Sequence, residues 1–235
     1  MSGHLYGIGV GPGDPDLLTI KAAKTLGMVD VIFAASSTKN DDSLALDIAR
    51  PHLRPVTRTI RLGFPMSRDE ATLLAAWEDN ARQVLTELDQ GHDAAFLTLG
   101  DPLLYSTFAY LLRTLRRLRP GLGATVIPGI TSFQAAAAAT QTVLAESAQN
   151  LLIMPGIRQA GELRDGLEHA ENAVILKAYT NFGVIRDEVR NCRPQRHCVF
   201  ASKVGMKGQF ITRSLDEAPD RPTYLSLLLL TSGHS

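Results

Sequence analysis

The chain has 235 residues, with 24 Lys plus Arg against 24 Asp plus Glu and an apolar fraction of 45%. Zero net charge argues against non-specific nucleic-acid binding, and the length suits one large α/β domain or two small ones. The longest apolar run, Leu227 to Leu230, is too short to span a bilayer, and no basic segment followed by an apolar core opens the chain, so the expectation is a cytoplasmic protein with no membrane partner.

Leu5 to Val10 reads as a first strand that runs into Gly11-Pro12-Gly13-Asp14-Pro15. The glycines do not make a dinucleotide fingerprint. Gly7-x-Gly9 needs a glycine where Pro12 stands, and Gly9-x-Gly11 needs a small residue where Asp14 stands. No phosphate loop of the G-x-x-x-x-G-K-[ST] kind occurs. A helix is expected over 17–27, a strand over Val31–Ala34, a polar loop over Ser36–Asp42, a short helix over Ser43–Arg50 and a short strand over Ile60–Phe64. Ser67-Arg68-Asp69-Glu70 reads as a capping box that opens a helix running to Asp89 or Gln90, with Gly91 as its stop.

The apolar run Ala94–Leu99 reads as a buried strand broken by Gly100-Asp101-Pro102, with a helix resuming after Ser106-Thr107 on Phe108, Leu111, Leu112 and Leu115. In an open α/β sheet ligands bind at the carboxyl ends of strands. A glycine there admits a ligand to the backbone, an aspartate accepts hydrogen bonds and a proline fixes the turn. Arg119-Pro120-Gly121-Leu122-Gly123 reads as the domain boundary, giving α/β domains over 1–119 and 124–235. The second begins with a strand at Ala124–Ile127, the break Pro128-Gly129-Ile130-Thr131-Ser132 and an alanine-rich helix from Phe133 to about Thr140. Further strands are expected at Leu151–Met154 (ending on Pro155-Gly156), Ala173–Lys177, Val199–Ala201, Phe210–Thr212 and Tyr224–Leu230, with helices at Glu162–His169 and Phe182–Arg190. If the strands of each half are parallel, the Gly/Pro turns gather along one edge of each, and two facing edges make a cleft.

Three motifs, Gly7-Ile8-Gly9-Val10-Gly11-Pro12-Gly13-Asp14-Pro15, Gly100-Asp101-Pro102 and Pro128-Gly129-Ile130-Thr131-Ser132, occur in that order across most of the chain. The sequence resembles the tetrapyrrole methylase family, the class III S-adenosylmethionine-dependent methyltransferases of cobalamin and sirohaem synthesis. The opening Leu5-Tyr6, the following Leu17-Leu18-Thr19 and the Tyr105-Ser106-Thr107 continuation resemble its C20 methyltransferases, which act on precorrin-2 or on cobalt-factor II. The resemblance implies two α/β domains with the active-site cleft between them, a homodimer, S-adenosylmethionine as cofactor and a tetrapyrrole as substrate. It implies that Pro12, Leu99, Gly100, Asp101 and Leu104 touch the cofactor, with Thr131 and Ser132 near its carboxylate or sulfonium. Met154 or Pro155, then Val204 and Gly205, are implied to approach the adenine. Another tetrapyrrole carbon as acceptor, or a non-catalytic S-adenosylmethionine-binding module, are the alternative readings.

The sulfonium supplies the electrophile and an electron-rich meso carbon the nucleophile, so no strong protein base is obligatory and no catalytic residue is named. Asp101 reads as an orienting acceptor rather than a base. Tyr105, Ser106 and Thr107 are candidates for substrate contact. Arginines match the substrate's many carboxylates, which makes Arg58 and Arg61 candidates beside Arg54, Arg113, Arg116 and Arg117. The histidines are scattered and Cys192 and Cys198 lack a zinc spacing, so the cysteines read as free thiols, no metal site is expected, and cobalt would arrive only within the substrate.

Overall fold

Strands form where the apolar runs predict them, but in two separate sheets. The computed structural model describes residues 2–36, 43–65, 67, 69–157, 160–192 and 197–232, without the side chains of 160 and 192. The chain divides into two compact units, 1–131 and 132–235. In the first, β1 (Leu5–Gly9), β2 (Val31–Ser36), β3 (Arg58–Gly63), β4 (Ala94–Thr98) and β5 (Ala124–Ile127) form an all-parallel sheet of order β3-β2-β4-β1-β5. The inner strands are apolar throughout because both faces are covered. Ile8, Ile32, Ala34 and Leu97 face α1 (Ile20–Leu26) and α2 (Leu44–Ala49), while Leu5, Phe33 and Phe96 face α3 (Glu70–Asp89) and α4 (Thr107–Leu118).

Two local expectations shift. The segment 17–27 divides into a 3-10 turn at Pro15–Leu17 and then α1, whose cap is Thr19. Asp69 rather than Ser67 caps α3, accepting from the Thr72 N–H at 2.9 Å, while Ser67 Oγ accepts from the Asp69 N–H. The carboxylate satisfies a first-turn donor that the hydroxyl two residues back does not reach. The polar segment 37–42 lies outside the described residues.

The domain boundary also moves. β5 pairs in register with β1 (Ile8 opposite Ile127), so residues 124–131 belong to the first unit and the division falls after Thr131. Pro120 and Gly121 end a helix and turn the chain back into the same sheet.

The second unit has β6 (Leu151–Met154), β7 (Asn172–Leu176), β8 (His197–Ser202), β9 (Phe210–Thr212) and β10 (Ser226–Thr231) in the order β6-β7-β10-β8-β9, with helices α5 (Ser132–Thr140), α6 (Ala160–His169) and α7 (Phe182–Cys192). It is a mixed sheet rather than a parallel one: β10 runs antiparallel to both β7 and β8. β6, β7 and β8 therefore share a direction. Its core packs Ile175, Phe200, Leu228 and Leu230 against Leu163, Leu167, Phe182 and Ile185. Cys198 is a free thiol whose burial raises its pKa to about 12, so it is protonated at neutral pH. Among the described residues no helix is long and apolar enough to cross a membrane.

Candidate active site

Adjacent parallel strands whose following helices leave to opposite faces open a crevice at their carboxyl ends. β1 and β4 are such a pair, since α1 packs on one face and α4 on the other. The first two glycine motifs leave from these two strands, and the third leaves from β5 on the other side of β1. All three turns meet. The Gly100 N–H donates to the Gly11 carbonyl at 2.8 Å, and the Val10 N–H to the Thr98 carbonyl at 2.9 Å. A Cβ on Gly9 would lie 2.5 Å from Gly100 O and 2.6 Å from Gly129 N, and one on Gly129 would lie 2.1 Å from Gly100 O. Glycine is required at both positions because backbone packs on backbone. Gly100 has φ +72°, and nothing lies within 4 Å of the place its Cβ would take, so its outer side is open to a ligand.

Pro12 is buried in the first turn, and Leu99, Gly100, Asp101 and Leu104 are half-buried along the second. The Asp101 carboxylate accepts the Leu103 N–H at 2.8 Å and the Gly129 N–H at 3.1 Å. Tyr105 has φ +51° and is 48% exposed, a backbone conformation that side chains other than glycine adopt chiefly where the surroundings enforce it. Ser106 caps α4. It is buried, with Oγ accepting from the Phe108 N–H at 3.0 Å and lying 3.3 Å from Thr98 Oγ1. Its hydroxyl is engaged within the protein. Thr107 is the first residue of α4. Thr131 closes the first unit, and Ser132 opens α5 in the second.

In the second unit the shared direction of β6, β7 and β8 brings Met154, Pro155, Val204 and Gly205 to one sheet edge. Lys177 and Lys203 stand there with φ +53° and +50°, directly after β7 and β8. The turn after β7 holds no glycine, whereas Gly205 (φ +74°) marks the one after β8. The Lys203 N–H donates to the Leu225 carbonyl at 2.9 Å and the Ala178 N–H to the Ser226 carbonyl at 3.0 Å, which fixes both turns to the start of β10.

The arginines are mostly engaged elsewhere. Arg58 stands opposite Val31 at the amino end of the first sheet, the edge away from the glycine turns. Its guanidinium donates to both Glu87 oxygens, at 3.2 and 2.5 Å, and His92 Nδ1 lies 2.9 Å from Glu87 Oε2. Arg58 is thus part of an amino-edge ion cluster with Glu87 and His92. Arg54 donates to the Met28 and Val29 carbonyls and to Asp30. Arg113 lies over the Tyr110 ring, and Arg117 pairs with Glu78. Arg61, exposed and opposite Ala34, stands three residues nearer the carboxyl edge than Arg58.

This cluster has a pH signature. The hydrogen bonds from Arg58 first, and His92 after burial's opposing effect, hold the Glu87 carboxyl below its ordinary 4.5. A depressed folded value means the stabilisation is present above the ordinary value and lost as pH falls through the folded one. Glu87→Gln is expected to be less stable than wild type in urea unfolding at pH 7, with the gap closing below pH 4.5. A gap that persists or widens in acid contradicts this assignment.

The family model for Tetrapyrrole (Corrin/Porphyrin) Methylases matches residues 4–219. The chain belongs to this family. Among curated relatives of this tetrapyrrole methylase, the cobalt-precorrin-2 C(20)-methyltransferase of Salmonella typhimurium is 34% identical over 232 residues, covering 98% of this chain and 97% of that protein. The precorrin-2 C(20)-methyltransferase of a Sinorhizobium species is 31% identical over 235 residues, covering 97% and 95%. The X-ray structure of the cobalt precorrin-4 methyltransferase CbiF superposes with a TM-score of 0.76 at 22% identity, covering 97% and 94%, which shows the shared fold.

Proposed function

We propose that this tetrapyrrole methylase transfers a methyl group from S-adenosylmethionine to C20 of a precorrin-2-type tetrapyrrole, metal-free or cobalt-bearing, in cobalamin biosynthesis. The observation that carries this is similarity along nearly the full chain to two named C20 methyltransferases. One is named for the cobalt-bearing substrate and the other for the metal-free one, so either form remains within the proposal, with cobalt as cargo of the substrate.

When bound, the donor supplies an electrophilic methyl on a sulfonium. The open outer side of Gly100 at the switch-point crevice suits an elongated polar ligand of this kind. In this reading Pro12, Leu99, Gly100 and Leu104 form the donor's wall in the first unit, continued by Thr131, and Ser132 is a candidate of the second unit. Met154, Pro155, Val204 and Gly205 are the second unit's own candidates for donor contact. The chain's contribution is to hold the methyl in line with the meso carbon and keep water out, which is the larger part of catalysis when both reacting groups are already activated. Tyr105, Thr107 and Arg61 are the substrate-side candidates that the structure leaves exposed or half-buried. Arg58→Ala is expected to leave tetrapyrrole affinity unchanged in a fluorescence titration, and Arg61→Ala to weaken it; the reverse pattern would return Arg58 to the substrate.

Anaerobic reactions with metal-free precorrin-2 and with cobalt-factor II, each supplied with methyl-labelled S-adenosylmethionine, test the function. Mass spectrometry should find one added labelled methyl in at least one reaction, and the faster reaction identifies the substrate. No transfer in either, with donor bound, would overturn the proposal.

A further inference from the structure

Two side-chain ties orient α3 against the first sheet. Glu87 is held by Arg58 at the amino end of β3, and Asn80 Nδ2 donates to the carbonyl of Gly63, the last residue of β3, at 2.8 Å. The helix therefore runs antiparallel to β3, and Glu70 to Asp79 extend past the carboxyl edge from which the glycine turns leave. At 1.5 Å per residue this overhang reaches about 15 Å. It carries Trp77, the single tryptophan of the chain, and one turn before it Leu74, which is 51% exposed. The indole stacks on the Tyr110 ring of α4, with centroids 4.6 Å apart and planes 15° from parallel. The guanidinium carbon of Arg113 lies 5.0 Å from the centroid of the same ring, which is still 41% exposed. Arg113 stands one turn after Tyr110, so its side chain is laid back toward the start of α4, where Ser106 sits beside Thr98 at the carboxyl edge. Nearby, Arg82 and Arg117 are both held by Glu78, and Arg119 by Asp89, whereas Arg113 has no carboxylate partner among the described residues.

We infer that the Trp77–Tyr110–Arg113 stack is a contact surface for the tetrapyrrole: the aromatic pair and Leu74 take an apolar edge of the macrocycle, and Arg113 pairs with one of its carboxylates. This rests on the tetrapyrrole reading above and extends its substrate side from the turn after β4 to the overhang of α3. The chemistry of the surface matches that occupant in both parts. Stacked rings offer a large, rigid apolar area. A guanidinium already laid over a ring presents its fork to a carboxylate with little left to order, and no carboxylate of its own competes for it. The carboxyl edge is also where an open α/β sheet receives its ligands.

Anaerobic isothermal titration of cobalt-factor II and of metal-free precorrin-2, each with S-adenosylhomocysteine present, into wild type, Arg113→Gln, Arg113→Lys and Trp77→Leu tests the inference. For whichever tetrapyrrole wild type binds, Arg113→Gln and Trp77→Leu should each raise Kd about tenfold, the size of one lost charge-assisted hydrogen bond. Arg113→Lys keeps the charge without the fork and should fall between. Affinity for S-adenosylhomocysteine alone should match wild type in all three. Arg113→Gln alters an exposed side chain and should keep the wild-type urea midpoint, so it decides the matter if Trp77→Leu fails to fold. Wild-type protein carrying 5-fluorotryptophan gives one fluorine-19 signal, which should shift or broaden on addition of tetrapyrrole and stay in place with S-adenosylhomocysteine alone. Unchanged tetrapyrrole affinity in Arg113→Gln, or a fluorine signal that ignores the tetrapyrrole, would overturn the inference and leave the functional reading standing. So would a Trp77→Leu protein that sediments as a monomer where wild type is a dimer, which would give the surface to a second copy of the chain. A wild type that binds S-adenosylhomocysteine but neither tetrapyrrole would overturn the tetrapyrrole reading itself, and this inference with it.

Discussion

Gly129→Ala is expected to abolish measurable S-adenosylmethionine binding, with at least a hundredfold rise in Kd, and to destabilise the fold by about 3 kcal/mol, the upper part of the range for overpacked sites. The new Cβ would stand 2.1 Å from Gly100 O and 2.8 Å from Gly9 C and Cα. All three are backbone atoms, so no side-chain rotation relieves the clash. The cheapest response is for the Pro128–Thr131 turn to lift away, which breaks the Asp101–Gly129 hydrogen bond and opens the crevice. Gly9→Ala meets the same cluster at 2.5 to 2.7 Å and should behave alike. Urea unfolding and calorimetric titration on each variant measure both effects. Wild-type stability together with wild-type affinity in Gly129→Ala would mean that the three turns do not meet as described.

Gly7→Ala should destabilise the first unit without touching the three glycine turns. Its Cβ would lie 2.2 and 2.3 Å from two atoms of the Phe108 ring, which is fully buried and packs on Phe96 with ring centroids 5.6 Å apart. The ring has no solvent side to swing into, so the expected loss is about 2–3 kcal/mol. Phe108→Leu alone should also destabilise, by loss of buried area. The double variant should be more stable than the sum of the two losses predicts, because leucine vacates the space the new methyl needs. Strict additivity in denaturant unfolding would show that Gly7 is not held to glycine by Phe108.

Much of this architecture is legible in the sequence. The apolar runs at Leu5–Val10, Val31–Ala34 and Ala94–Leu99 have no polar alternation, which is the mark of a parallel sheet covered on both faces. The first two glycine motifs lie at the ends of such runs, so their placement at strand ends follows from local pattern alone. What the pattern does not carry is pairing between distant residues. The Pro120-Gly121 turn looks like a linker until β5 is found beside β1. The direction of β10 is set by its neighbours rather than by its own leucines.

The same limit governs the site residues. Arg58 looks free for substrate because its partner Glu87 is 29 residues away, on a helix whose register the sequence does not fix against β3. Ser106 looks like a ligand contact because a capping serine and a binding serine are the same residue in a sequence. Asp101 reads as an acceptor in the sequence, but that its carboxylate takes the Leu103 and Gly129 N–H groups emerges only when the second and third turns are brought together.

The central claim is the position of the transferred methyl. Donor carrying a carbon-13 methyl, turned over anaerobically with whichever substrate reacts, would yield a product whose new methyl is located by NMR. The account predicts a methyl carbon coupled to the C20 meso position and to no other ring carbon. A label at any other carbon would leave the chain a tetrapyrrole methylase and contradict the C20 assignment.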